Sequence, residues 1–316
     1  MRVALALGSG GARGYAHIGV IDELKARGHE IVGIAGTSMG ALVGGLEAAG
    51  ALGDYSEWVR GLSQADVIRL LDPAFGEPGV IKAQRVIQRV ADLLGDACIE
   101  NLPIPYTAVA TDLTNQREVW FQHGPLHMAI RASIAIPSAI TPVMLEGRLL
   151  ADGGLLNPVP MDPLAGVVSD FTLAVSLSGR RESVPSTQPS RESSLEVSGP
   201  EWVDALKKGA ADVLDSDLVR AIAQWWSKFH GEPDHRPDDA PGFDEVPREL
   251  KTTDVVALSM DAASALIGRF RMAANPPDVM VTVPIDSATV FDFHKAGELI
   301  ELGRRLAVDA LDAAGR

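Results

Sequence analysis

Two glycine-rich segments, each closing an apolar run, constrain this chain more than any other feature. Gly8-Ser9-Gly10-Gly11-Ala12-Arg13-Gly14 follows the apolar residues 3–7, and Gly36-Thr37-Ser38-Met39-Gly40 follows the apolar residues 31–35. The second segment fits G-x-S-x-G, in which a serine occupies a tight turn between a strand and a helix. Glycines on either side of Ser38 allow a strained turn that pushes the hydroxyl outward. The first segment offers a row of small residues whose amides can cradle a developing oxyanion. A nucleophile turn beside an anion nest is what acyl transfer requires, so the pair predicts a serine hydrolase.

Other uses of these glycines fit less well. A dinucleotide fingerprint G-x-G-x-x-G would need glycine where Arg13 stands. It would also need an acidic residue at the end of the second strand, which closes on Gly36-Thr37-Ser38 instead. No G-K-[ST] follows the glycines, which excludes a phosphate-binding P-loop.

A serine hydroxyl is a weak nucleophile until a neighbouring base takes its proton. The chain holds seven histidines: His17, His29, His123, His127, His230, His235 and His294. Ser38, Asp152 and His294 follow the order of an α/β-hydrolase triad, but Ser38 comes too early for that fold, which builds several strands before its elbow. His294 falls at the expected start of a terminal helix, and His17 is expected to pack on the first helix. Asp152, in Leu149-Leu150-Ala151-Asp152-Gly153-Gly154, reads as a strand end entering a tight loop. An Asp-Gly pair is also an ordinary turn signal. Asp112 ends another expected strand and is a poorer base candidate, because no glycine pair follows it.

The same blocks resemble the patatin-like phospholipases of the small bacterial type. Residues 8–20 (GSGGARGYAHIGV) are similar to that family's oxyanion block, 36–40 to its G-x-S-x-G block, and Asp152-Gly153-Gly154 to its D-G-[GA] block. Arg131-Ala132-Ser133-Ile134-Ala135-Ile136-Pro137 resembles its A-S-x-x-x-P segment, and Asp292-Phe293-His294-Lys295-Ala296 a terminal stretch of its bacterial members. The resemblance implies a Ser-Asp dyad without histidine, Ser38 as nucleophile and Asp152 as base. It further implies oxyanion donors around Gly10 and Gly11, with Ala12 and Arg13 adjoining. Gly36, Gly40, Gly153 and Gly154 support the two turns. Such a dyad needs a carboxylate made more basic than its ordinary pKa near 4, which desolvation in a closed cleft achieves. Arg13 has two readings: positive potential for the nest or a lipid phosphate, or a tie on the glycine loop. The substrate class implied is phospholipid or lysophospholipid. The same nucleophile would serve an acyltransferase or a general carboxylesterase, and the fold without its chemistry would serve a regulatory protein.

Composition is compatible with this reading. With 46% hydrophobic and 22% charged residues over 316 positions, the chain can build one large α/β domain with an appendage. Its net charge of −14 argues against nucleic acid as a partner. The single cysteine, Cys98, excludes an internal disulfide and fits a reducing compartment. Residues 3–7 are too short for a signal-peptide core, and no apolar stretch reaches the roughly 18 residues of a membrane span. A cytoplasmic location is expected, with peripheral membrane contact as an option. The scattered histidines indicate no metal site, and no cofactor fingerprint is present.

Strand and helix patterns alternate and predict a three-layer α/β/α domain around a central, mostly parallel sheet. Strands are expected at 3–7, 31–35, 105–112, 118–122, 142–145, 171–177 and 279–283. Helices are expected at 16–27, 39–49, in two pieces over 54–94, and at 126–133, 201–230, 250–273 and from Phe293 onwards. The domain reading assigns 1–177 to the catalytic core and 178–200, rich in Ser, Pro, Arg and Glu, to a flexible linker. Residues 201–275 are assigned to a helical insertion or lid-like appendage, and 276–316 to the last strand and closing helix. In that appendage Trp225 and Trp226 mark a candidate contact with a membrane surface, or else an ordinary packed helix. Eight acidic against three basic residues between Glu232 and Asp254, with four prolines, predict an exposed loop.

Overall fold

A computed structural model describes residues 1–71, 83–137, 139–179 and 252–316. These belong to one compact unit, formed by Met1–Val184 with Thr253–Arg316; the second unit, Pro185–Thr252, lies outside the described residues save for its last position. The expected appendage helix with Trp225 and Trp226, most of the linker (180–200) and the acidic loop up to 251 therefore also lie outside them; Ser178 and Gly179, expected in the linker, instead end a strand, and 252–254, expected in the loop, begin a helix.

The strands are β1 (Arg2–Leu7), β2 (Glu30–Thr37), β3 (Tyr106–Asp112), β4 (Arg117–Phe121), β5 (Val143–Leu145), β6 (Arg148–Asp152), β7 (Phe171–Gly179) and β8 (Val279–Pro284). Between them run α1 (Ala16–Ala26), α2 (Met39–Ala48), α3 (Leu52–Arg60), α4 (Gln64–Leu71), α5 (Gln84–Leu94), α6 (Leu126–Ser133), α7 (Thr252–Ala274) and α8 (Ala296–Ala313). The stretch expected as two helical pieces over 54–94 thus holds three described helices. The closing helix begins three residues later than Phe293, after a short 3-10 turn at Phe293–Lys295.

Strands β8, β7, β1, β2 and β3 lie side by side and all pair in parallel. The parallel part follows from strand–helix–strand repetition, since each right-handed crossover returns the chain in the same direction. Alternation within each strand divides the core. Val3, Leu5, Leu7, Phe171, Leu173, Val175 and Leu177 join the large cluster beneath α1, α2 and α8. Ala4, Ala6, Ala35 and Ala174 face the opposite layer, against Val159, Met161 and Leu164. Small residues on that face let an irregular segment and α7 approach the sheet closely.

Helix α7, within the segment expected as an appendage, packs in the same unit as the sheet. Met272 joins the alanine-faced layer, and Arg271 forms ion pairs with Glu118 of β4 and with Asp162.

The antiparallel strands carry the geometry that matters for the site. Along one edge β3 pairs antiparallel with β4, Ala108 to Asp112 facing Phe121 to Arg117. Its other edge is shared. β2 occupies the first half, ending with Thr37 opposite Val109, while β6 runs the other way along the second half and ends with Asp152 opposite Ala110. Two strands thus meet head to head, C-terminus to C-terminus, at consecutive positions of one neighbour.

Candidate active site

Ser38 follows directly from Thr37 at that meeting point. Its backbone stands at φ 58° and ψ −123°, a region costly for any residue with a side chain. The turn survives because its flanks are glycines packed beyond what a methyl group would allow. A Cβ on Gly40 would lie 2.0 Å from the Leu7 carbonyl oxygen, and one on Gly36 would lie 2.3 Å from the Gly40 carbonyl oxygen. The turn is pinned from outside as well. Ser133, at the end of α6, accepts a hydrogen bond from the Ser38 amide at 2.9 Å and donates its own proton to the Val109 carbonyl at 2.6 Å. Helix α2 begins at Met39, so its dipole favours negative charge beside Ser38.

Asp152 closes β6 from the other side. Its amide donates to the Ala135 carbonyl at 2.8 Å, and its carbonyl accepts the Thr111 hydroxyl at 3.0 Å. One carboxylate oxygen, Oδ1, accepts the Gly154 amide at 2.7 Å. The other, Oδ2, is buried and accepts no hydrogen bond of ordinary geometry from the described residues. Burial pushes the carboxyl up to about 6, while the neighbouring Ser38 side chain and the Gly154 amide pull it back towards the ordinary range. Ser38 and Asp152 are thus adjacent, both almost wholly enclosed, and the free oxygen belongs to the acid.

The glycine segment runs alongside. The Gly8 amide donates to Val175, the Ser9 amide to Pro158 and the Ala12 amide to Val290, all at 2.8–3.0 Å. No partner is found among the described residues for the amides of Gly10 and Gly11. Gly11, in the left-handed region at φ +57°, opens onto the same pocket as Ser38. Arg13 is buried and donates to the carbonyls of Gly10 at 3.2 Å and Ile285 at 3.0 Å. It therefore ties the loop down, with Asp261 of α7 as the opposing charge. His17 donates from Nε2 to the Gly8 carbonyl at 2.8 Å, and burial holds its pKa down to about 4. It packs on α1 as a neutral brace beneath the loop.

That pocket is almost entirely apolar, with a cavity volume of about 80 Å³. Met39, Leu42, Tyr55, Trp58, Ile134 and Phe293 supply much of its wall, with Ser38 and Gly11 at one end. His294 is not among the lining residues, nor among the groups that act on Asp152. Asp112 is fully occupied. Its carboxylate accepts the Thr114 and Asn115 amides at 3.0 Å and the Asn115 side chain at 2.8 Å, which hold it below its ordinary value. Among the described residues, no group of three or more His, Cys, Asp or Glu is placed to hold a metal ion, and no helix is long and apolar enough to cross a membrane.

Two contributors went unrecognised at the sequence level. Ser133 had a signal, since it is the serine of the A-S-x-x-x-P stretch, although nothing local tells that it holds the Ser38 amide. Asn157 had none. It bonds through its backbone to the neighbours of both Ser38 and Asp152, and only the fold brings these together.

Comparison with known proteins agrees with the geometry. A family model described as patatin-like phospholipase matches residues 5–165. An NTE family protein of Mycobacterium tuberculosis is 43% identical over 340 aligned positions, covering 99% of this chain and 92% of that protein. Neuropathy target esterase sws of Drosophila melanogaster is 29% identical over 182 positions, covering 55% of this chain and 13% of that protein. Among solved structures, VipD from Legionella pneumophila matches with a TM-score of 0.50 at 13% identity, covering 99% of this chain and 67% of that one. At that identity the likeness concerns the fold alone.

Proposed function

The chain belongs to the patatin-like phospholipase family, and from that membership we propose that it is a serine lipid acyl hydrolase acting through a Ser38–Asp152 dyad. One observation carries the proposal: a strained serine at the end of an apolar pocket stands beside a desolvated aspartate, one of whose oxygens is unsatisfied among the described residues. The substrate class is a phospholipid or lysophospholipid, whose acyl chain fits apolar walls and whose ester carbonyl would sit at Ser38.

In the first step the Ser38 hydroxyl attacks the ester carbonyl carbon and Asp152 Oδ2 takes its proton. The tetrahedral oxygen is received by the amides of Gly10 and Gly11, which have no partner among the described residues. The Ala12 amide is already given to Val290, so Ala12 and Arg13 serve the nest by fixing its shape. The first amides of α2 add positive potential on the other side. Collapse expels the alcohol, which recovers the proton from Asp152, and leaves an acyl-Ser38 ester. Water, deprotonated by the same carboxylate, then releases the fatty acid and free Ser38. A pKa near 6 suits both roles, since the carboxylate is ionised at neutral pH yet a better base than an ordinary aspartate. The cytoplasmic location, and membrane contact through Trp225 and Trp226, remain part of this proposal.

The test is fluorophosphonate labelling with hydrolysis of p-nitrophenyl esters of increasing chain length, comparing wild type with Ser38→Ala, Asp152→Asn and His294→Ala. Loss in the first two and retention in the third is expected. Loss in folded His294→Ala would replace the dyad with a triad. Product analysis with an added alcohol acceptor separates a hydrolase from an acyltransferase.

A further inference from the structure

Asn157 is a wholly buried polar side chain that the proposed chemistry leaves unused, and its Oδ1 has no hydrogen-bond partner among the described residues. A buried acceptor left without a donor is costly, so something holds this amide in its orientation. The main chain of Asn157 touches both arms of the site. Its carbonyl accepts the Thr37 hydroxyl at 2.8 Å, and its amide donates to the Gly153 carbonyl at 2.8 Å. Thr37 immediately precedes Ser38, and Gly153 immediately follows Asp152. One residue therefore bridges the two strand ends that meet along β3.

Its side chain is held in turn from outside the site. Asn157 Nδ2 donates to Glu118 Oε2 at 3.0 Å. A carboxylate only accepts, so the amide must present its nitrogen to Glu118 and turn its oxygen away. Glu118 is fixed by the Trp120 indole at 2.9 Å and by Arg271 of α7 through Oε1. Arg271 also bonds Asp162, which lies on the same irregular segment as Asn157. Charge-assisted bonds of this kind are stronger and more directional than neutral ones.

We propose that Asn157 is the positioning residue of the Ser38–Asp152 pair, and that Arg271, through Glu118, sets its orientation and so couples the seating of α7 to the rate of acylation. The proposal rests on the dyad reading above. Mere bracing of the fold would lower thermal stability and leave each folded molecule as active as before. Positioning predicts a loss in kcat with KM for a short soluble ester unchanged, because Arg271 and Glu118 do not line the acyl pocket.

The experiment uses the full chain with Arg271→Ala, Arg271→Lys, Glu118→Gln and, as a control, Arg60→Ala, which removes a surface ion pair to Glu301. Labelling rate per folded molecule, kcat and KM are measured together with hydrogen–deuterium exchange of the peptides covering 36–41 and 151–157. Arg271→Ala is expected to label and turn over about ten- to a hundred-fold more slowly, with faster exchange in both peptides. Arg271→Lys should recover most of the loss, Glu118→Gln should fall between, and Arg60→Ala should match wild type. Wild-type labelling in Arg271→Ala, or unchanged exchange in the two peptides, would overturn the coupling. Wild-type protein that takes no label would contradict the Ser38 reading instead, and the exchange data would still decide whether α7 is linked to the two turns.

Discussion

Asp152 and Asp112 end neighbouring, mutually paired strands, and both are sealed from solvent. Their carboxyls nevertheless lie on opposite sides of the ordinary value. Asp112 accepts three hydrogen bonds from the turn that follows it and is held low. Among the described residues Asp152 accepts one backbone hydrogen bond, from Gly154, has Ser38 beside it, and is raised by burial to about 6. The difference lies in the residues that follow. Leu113-Thr114-Asn115 wraps donors around its aspartate. Gly153-Gly154 turns too tightly for that, with a Cβ on Gly153 only 2.2 Å from the Val109 carbonyl oxygen. In this sheet the reactive carboxylate is the one that burial raises and that few hydrogen bonds pull back.

Breaking the reactive side of the comparison should have the largest effects. Ser38→Ala is expected to lose about 10⁴-fold or more in ester hydrolysis and all fluorophosphonate labelling. Asp152→Asn keeps an acceptor for the Gly154 amide and should cost about 10³- to 10⁴-fold. The same variant should be more stable than wild type at pH 8. A buried acid whose folded pKa is raised holds its proton more tightly than the unfolded chain does. Its stabilisation is therefore complete below the unfolded value near 4 and is lost as pH rises through about 6. Above that the ionised carboxylate costs about 3 kcal/mol. Denaturant melts of the two proteins at pH 4 and pH 8 check this, and equal stability at pH 8 would sink the desolvation argument.

Smaller effects sharpen the contrast. The wild-type acylation rate should fall about tenfold for each pH unit below 6 and level off above, as deprotonation of Asp152 requires. Ser133→Ala removes the acceptor for the Ser38 amide and should slow labelling about tenfold, the worth of one buried hydrogen bond. Asp112→Asn should leave the labelling rate alone and only lower the thermal midpoint. A matching loss of activity there would mean that the two aspartates are not distinguished as described.

Much of this was legible in the chain because the signals are local. The strands at 3–7 and 31–35 and their glycine closures are fixed by neighbouring residues, and α6 spans 126–133 as its pattern implies. Ser38 and Asp152 stood out because both turns demand glycine at fixed offsets. What could not be read is how two strand ends far apart in sequence meet on one edge of β3. Periodicity carries no information about which strands pair, and β4 and β6 reverse the parallel order without any special residue. Asn157, Glu118 and Arg271 were invisible for the same reason: each is an ordinary polar residue until the fold assembles them. Arg13 had two readings in sequence, and its bonds to Gly10 and Ile285 make it a tie on the loop.

The most direct test of the central claim is intact-protein and peptide mass spectrometry after fluorophosphonate labelling of wild type and Asp152→Asn between pH 4 and pH 9. The account predicts a single adduct on Ser38, forming at a rate that rises through pH 6 in wild type, with Asp152→Asn almost unlabelled throughout. An adduct elsewhere, no adduct on folded wild type, or an unchanged profile in Asp152→Asn would contradict it.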